Sequence, residues 1–313
     1  MALTRPGYRL VYIDGGSPRR VRRYLERRVR EFGFPYLRRE HYLTPNEARN
    51  LGLPYVHTKY AVFIDNDVVV APGWLEALIE CAEETDASMV GPVYCIGTPL
   101  HQIVHVAGGE CRIIQQGEKR VFQEFHGYVD RPLSEALAHL HRQETGIAEF
   151  HCVLIRRDIL EKIGPFDERL YSTPEHCDLS LAVLNAGGSI YLEPRSVITQ
   201  LEPRIRWSDL SFFVMRWNRD WYRASLARFA EKWGLSADQS DWQSLVNFLE
   251  FRRKMYYKSL GLQPLRTLLL KVSGESALAA LDNAVERLAT RIWVRPAERK
   301  RSLHRAPIAP SST

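Results

Sequence analysis

Along the first two hundred residues, short apolar runs bounded by glycine, proline and aspartate alternate with amphipathic segments of helical period. That alternation constrains the fold more than any other feature, because strand and helix in turn give a mostly parallel sheet flanked by helices, an α/β architecture. RLVYID (9–14) reads as a strand, and GGSP after it turns into an Arg-rich helix with Ser17 as N-cap and Pro18 at the first helical position. Thr44, Pro45, Asn46 and Glu47 form a capping box opening the short helix that holds Ala48, Arg49 and Asn50. Residues 60–64 are a strand ending at Asp65, a helix runs from about Pro72 to Glu84, and SMVGPVY (88–94) returns as a strand. Up to residue 95 the pattern is βαβαβ.

Beyond it, EFHCVLIRR (149–157) reads as a strand, DILEKIG (158–164) as a helix, and EHCDLSLAVLNAGG (175–188) as a helix stopped by Gly187 and Gly188. SIYLEP (189–194) is the next strand. Residues 96–146 between these blocks, with Gly108, Gly109 and several histidines, read as loops and short elements over one end of the sheet. His101 and His105 have the i,i+4 spacing of helical metal ligands, but the segment is not helical in pattern and no third ligand is near, so no dedicated zinc site is expected there.

After about residue 205 the chain reads as helical and aromatic, with Trp207, Trp217, Trp221, Trp233 and Trp242 in amphipathic segments. WNRDWYRASLARFAEKWG (217–234) has two readings: the core of a helical subdomain, or a surface segment that meets a membrane through its Trp and Arg residues. The core reading is preferred. The segment SALAALDNAVERLATRIW carries an apolar stripe at Leu278, Leu281, Val285, Leu288 and Ile292. The expected division is a sheet domain over 1–204, a C-terminal helical region over 205–296, and a basic tail without structure over 297–313.

Composition narrows the function classes. The 313 residues are 45% hydrophobic and 26% charged, ordinary for a globular chain with a sizeable core. No apolar run is long enough to span a bilayer and the start has no signal-peptide core, so a cytoplasmic location is expected, with peripheral contact at the inner face of the membrane as the variant. Five cysteines without a CxxC pair argue against a disulfide framework or a thiolate zinc site. Net charge is +6, concentrated at the ends: residues 1–50 hold twelve Arg against five acids. In SPRRVRRYLERRVREFGF the apolar residues Val21, Tyr24, Leu25, Val29 and Phe32 follow a helical stripe, so the arginines are expected on a solvated face. No nucleic-acid partner is expected, since no reading motif accompanies the charge.

YAVFIDNDVVVAPGW (60–74) interrupts an apolar run with Asp65 and Asp67. Isolated buried carboxylates are costly, so something positive is expected to meet them. They fall at the carboxyl end of a strand, where ligands bind in open α/β sheets. An Asp-x-Asp turn offers hard oxygen ligands to Mg²⁺ or Mn²⁺, with diphosphate oxygens completing the shell, although the same pattern also caps helices.

VYIDGGS, NEARNLGL, VFIDNDVVVAPGWLEAL and the block CVLIRRDILEKIGPFDERLYSTPEHCDLSLAVLNAGGSIYLEP stand in the order found in family-2 glycosyltransferases of GT-A fold, which the chain resembles from about residue 9 to 200. The resemblance implies a metal-dependent, inverting transfer of a hexosyl-type group from a nucleotide sugar, a UDP-sugar first of all, to a hydroxyl of a glycan, a lipid-linked or a small-molecule acceptor. By resemblance Asp67 is the closer ligand of Mn²⁺ or Mg²⁺, Asp65 contacts the ribose or sugar and shares the metal site, and Asp14 and Arg49 stand at the base-recognition and diphosphate-side positions. The family's catalytic base is the second residue of Glu-Asp-x-Asp. Here the run is Glu175, His176, Cys177 and Asp178, which puts a histidine at that place, with Glu175 as its rival and Asp178, a helix-start carboxylate, as the third catalytic candidate. Only eight residues precede RLVYID where the family carries its first strand, so a gap in the sheet is expected beside it. The alternative is a non-catalytic relative of the same fold that binds carbohydrate or serves as a scaffold.

Overall fold

The computed structural model of the chain describes residues 3–4, 6–201, 206–236, 245–252, 255 and 261–305. The chain opens with β1 (Tyr12–Gly15), α1 (Arg19–Phe32), β2 (Tyr36–Arg39) and α2 (Pro45–Gly52), and β1 pairs with β2 in parallel. α1 starts one residue later than its capping pattern implies. Pro18 takes the N-cap position, and the Ser17 N–H donates to Asp14 Oδ1 at 2.8 Å. The capping box of α2 is formed, with Glu47 Oε2 accepting from the Thr44 N–H at 3.0 Å.

Next come β3 (Tyr60–Ile64), β4 (Val68–Val70), α3 (Trp74–Thr85) and β5 (Met89–Ile96). Residues 96–146 hold more regular structure than their sequence suggests. β6 (Val104–Val106) is followed by a long antiparallel hairpin of β7 (Gly109–Gln116) and β8 (Lys119–His126), then by α4 (Leu133–Leu137) and β9 (Gln143–Glu144). Gly109 lets the hairpin close against the sheet: at φ 150° a Cβ there would lie 2.0 Å from the Phe125 carbonyl oxygen. β10 (Cys152–Arg156), α5 (Arg157–Ile163), α6 (Glu175–Asn185) and β11 (Ile190–Gln200) complete the α/β part.

The larger sheet runs β3-β10-β5-β11-β4, with β6 on β5 and β9 on β11. β3, β5 and β11 point one way, and β10 and β4 oppose them. Successive residues of a strand face opposite sides, which explains why CVLIR is apolar throughout. Val153 and Ile155 pack with Ile159, Leu160, Leu179 and Val183 of α5 and α6, whereas Cys152 and Leu154 face Trp74, Leu78 and Cys81 of α3. Helices thus cover both faces, as the alternation requires.

In the C-terminal region, α7 (Leu210–Arg216) and α8 (Arg219–Trp233) are helical as expected, and the Asn218 side chain caps α8 by accepting from the Asp220 and Trp221 N–H groups. Trp217 and Trp221 are buried, with Phe213, Tyr222, Leu226 and Phe229. Most of the aromatic segment therefore belongs to the interior, while Trp207 is exposed and Trp242 lies outside the described residues. Two stripes read from periodicity are open to solvent instead. In α1 only Leu25 is buried, with Val21, Tyr24 and Phe32 exposed; on the helix Gln263–Ala289 and beyond, Leu278 is buried but Leu281, Val285, Leu288 and Ile292 are exposed. The tail is helical over Arg295–Arg305, which corrects the expectation of a structureless segment from 297, and residues 306–313 lie outside the described residues. Among the described residues no helix is long and apolar enough to cross a membrane.

Candidate active site

A cavity of about 2290 Å³ opens beyond the carboxyl end of β3. β1 and β3 belong to separate sheets, and the cavity is lined by both. Asp65, Asn66 and Asp67 form the turn between β3 and β4, closed by a Val68 N–H to Asp65 carbonyl contact of 3.4 Å. Two further backbone bonds fix it: the Asp65 N–H donates to the His151 carbonyl at 3.0 Å, and the Leu201 N–H to the Asp67 carbonyl at 2.8 Å. The Tyr12 hydroxyl hydrogen-bonds Asn66 from the β1 side.

The two carboxylates are shifted in opposite directions. Burial raises the Asp65 pKa, but the hydrogen bond and charge of His151 (Nδ1 to Oδ2, 3.0 Å), with the nearby Arg49 and Arg216, hold it below the usual range. Asp67 is pushed up, by burial first and then by the charge of Asp65, with Gln200 offsetting part of this. An acid whose ionised form is disfavoured by burial and by a second carboxylate, offset only in part by His151 and Gln200, belongs to a donor set suited to a hard divalent cation. The positive groups sought for the pair are thus His151, Arg49 and Arg216 around Asp65, and a cation fits at Asp67.

Arg49 stacks on the Phe150 ring, 3.5 Å from its centroid, and donates to Asn46 Oδ1 at 3.0 Å. Arg216 donates to Ser172 Oγ at 2.7 Å and to Glu175 Oε1 at 3.2 Å. Arg216 stands at the end of α7, outside every motif of the first two hundred residues, so no local pattern marks it. Glu175 is buried at the first turn of α6 and lines the cavity; its second oxygen, Oε2, has no hydrogen-bond partner.

His176 follows it into the cavity wall, but in a different state from that needed of a base. Its Nε2 lies 2.9 Å from Glu124 Oε1 and 3.7 Å from Glu149 Oε1. Burial works against its charge, yet Glu149, Glu124 and Glu175 push its pKa up to about 10. An imidazolium has no lone pair to take a proton, so a base role would require His176 to lose this charge first. Asp178 is turned the other way, accepting from Lys232 Nζ at 2.7 Å and Trp233 Nε1 at 2.9 Å, which ties α6 to α8.

Asp14 also lines the cavity, but its carboxylate is committed to the protein. Oδ1 takes the Ser17 N–H, and Oδ2 takes the Tyr36 hydroxyl at 2.5 Å and the Arg38 guanidinium. Burial alone would raise its pKa, but these donors hold it below the usual carboxylate range. A depressed acid stabilises the fold above its unfolded pKa and loses that contribution as pH falls through the folded value. Asp14→Asn is therefore expected to cost about 1.5–3 kcal/mol at neutral pH, the worth of a hydrogen bond to a charged group. Urea unfolding measures it: the gap to wild type is full at pH 7 and narrows below the ordinary carboxylate value of about 3.9. A gap that is constant down into acid contradicts the assignment.

A family model described as Glycosyl transferase family 2 matches residues 1–164. The pre-mycofactocin glycosyltransferase of Mycobacterium tuberculosis is 26% identical over 162 residues, a stretch covering 52% of this chain and 31% of that protein. The chain thus spans about a third of the length of the curated relatives it matches. Among solved structures, GalNAc-T7 crystallised with UDP, GalNAc and Mn²⁺ is similar at a TM-score of 0.47 and 14% identity, over 77% of this chain and 48% of that one. S. aureus TarS 1-349 in complex with UDP is similar at 0.41 and 14%, over 67% of this chain and 55% of that one. With a family model matched over more than half of its length and the Asp-x-Asp turn at the carboxyl end of its strand, the chain belongs to glycosyl transferase family 2.

Proposed function

We propose that the chain transfers a sugar, with inversion, from a UDP-sugar to an acceptor hydroxyl. The observation that carries this reading is the Asp65-Asn66-Asp67 turn in the same cavity as Glu175, whose free oxygen lies buried among arginines and histidines. Asp67 and Asp65 would hold Mn²⁺ or Mg²⁺; when bound, such an ion supplies fixed positive charge for the leaving diphosphate. Arg49 and Arg216, both close enough to bias Asp65, are placed to pair with diphosphate oxygens. The nucleoside is assigned to the β1 side of the cavity, near Asp14 and Tyr12.

In the transfer itself, the acceptor oxygen forms a bond to the anomeric carbon as the bond to the diphosphate oxygen breaks. The hydroxyl proton passes to Glu175 Oε2, and Arg216 on Oε1 keeps that carboxylate in place. His176, with Glu124 and Glu149 behind it, stands on the same wall. The acceptor class is a glycan, a lipid-linked saccharide or a small molecule.

The test is ligand-dependent unfolding with a screen of nucleotide sugars. UDP with Mn²⁺ at about 100 times its Kd is expected to stabilise the protein by ~2.7 kcal/mol, and EDTA to cancel the effect. At least one nucleotide sugar is expected to release its nucleoside diphosphate slowly to water and faster with acceptor. No stabilisation by any nucleoside diphosphate, with or without metal, sinks this reading and favours a scaffold.

A further inference from the structure

Apart from the Asp65-Asp67 turn, three separate elements bring two imidazoles and two carboxylates together. β8 carries Glu124 and His126, two residues apart and so on one face of the strand; Glu149 stands just before β10; and His176 is the second residue of α6. Donor atoms of His126, Glu149 and His176 all lie within 4.8 Å of one another. Glu149 Oε1 is 3.7 Å from each Nε2, and Glu124 Oε1 is 2.8 Å from His126 Nε2 and 2.9 Å from His176 Nε2. Ligands at about 2.0–2.1 Å from a tetrahedral zinc ion stand ~3.3 Å apart, which is the middle of this range. Glu124 Oε1 is shared by the two imidazoles, at hydrogen-bond distance from His126 Nε2 and from His176 Nε2. Two imidazole nitrogens thus converge on the carboxylate oxygens of one cluster.

We propose that His126, His176, Glu149 and Glu124 form a zinc site that joins the β7-β8 hairpin to the sheet and to α6. Charge supports the choice. Two carboxylates and two neutral imidazoles carry two negative charges, which one divalent ion cancels, and the proton now shared with His176 is released as the ion enters. Imidazole donors favour zinc over magnesium or calcium, which take oxygen. Around the site, His105 and His151 surround Glu149 from the other side, with the His105 ring centroid 6.5 Å from that of His126 and 6.3 Å from that of His151. The site does not depend on the glycosyl-transfer reading, since its ligands are distinct from Asp65 and Asp67.

The experiment titrates zinc into the chelator-stripped protein against a chromophoric competitor, using an Asp65→Asn/Asp67→Asn background to remove the other carboxylate pair. One equivalent of zinc is expected to bind there and to raise the melting temperature. Glu149→Gln and His126→Gln, which preserve shape, are each expected to weaken zinc by at least tenfold, and cobalt in the site is expected to show d–d bands without a thiolate charge-transfer band. His126 lies at the end of a hairpin strand and is partly exposed, so His126→Gln stays interpretable where a buried variant fails to fold. Zinc binding absent from the Asp65→Asn/Asp67→Asn protein, or unchanged by both Glu149→Gln and His126→Gln, overturns the site and leaves a metal-free ion-pair cluster. A thiolate band overturns the ligand set by bringing in Cys177, which lies close to Glu124 and His176.

Discussion

Asp67→Asn is expected to lose metal-dependent UDP binding by at least the roughly 10- to 100-fold that losing an outer-shell partner costs, while the fold survives. A neutral amide is a poorer ligand for a hard cation than a carboxylate, and the effect should vanish when EDTA is present, because the metal-free site has nothing to lose. Stability is expected to move the other way. Burial and the charge of Asp65 raise the Asp67 pKa, so its ionised form opposes folding at neutral pH and the neutral Asn does not. For Asp65 the sign reverses: although burial raises its pKa, His151, Arg49 and Arg216 more than compensate, and Asp65→Asn should lower the melting temperature. Thermal unfolding and UDP titration with and without Mn²⁺ measure both quantities on the same two variants. Unchanged Mn²⁺-dependent UDP affinity in Asp67→Asn would remove the central assignment.

The opposite states of these neighbours could not be read from the sequence, although the pair itself could. Asp65 and Asp67 stand out because they interrupt an apolar strand, a local signal. What separates them is His151, which approaches Asp65 from the residue before β10, and Gln200 at the end of β11, which approaches Asp67. Arg216 is of the same kind: its partner Glu175 is 41 residues away and on another helix. The elements themselves were largely legible where both faces of a strand are buried, as in Met89–Ile96 and Cys152–Arg156, since continuous apolar runs leave a strong pattern. The β7-β8 hairpin was not, because polar residues such as Arg112, Gln115, Lys119 and Arg120 dilute its alternation.

Periodicity also says which face of a helix is apolar without saying what covers it. Leu25 alone is buried on α1, and on the long C-terminal helix the stripe at Leu281, Val285 and Leu288 faces outward. The zinc-site residues show the limit from the other direction. His101 and His105 had ligand-like spacing, but His101 turns to Thr199 Oγ1 at 2.7 Å. The residues that do converge come from positions 124, 126, 149 and 176, a spacing set by the tertiary fold alone.

Glu175→Gln is expected to lower turnover by roughly 10² to 10⁴ with UDP affinity unchanged, the effect of removing a general base. Glutamine keeps a carbonyl oxygen for the Arg216 guanidinium, so the contact between α6 and α7 persists; what it lacks is an oxygen able to take the acceptor proton. His176→Gln separates the alternatives. Engaged by Glu124 and Glu149, His176 contributes position to the wall, and its loss should reduce turnover by less than the loss of Glu175. Donor hydrolysis without acceptor adds a further readout, since water as nucleophile also needs its proton removed and should suffer in Glu175→Gln as well. Near-normal turnover in Glu175→Gln, together with a loss of 10² or more in His176→Gln, would return the base to the histidine and require that substrate binding draw Glu124 away from it.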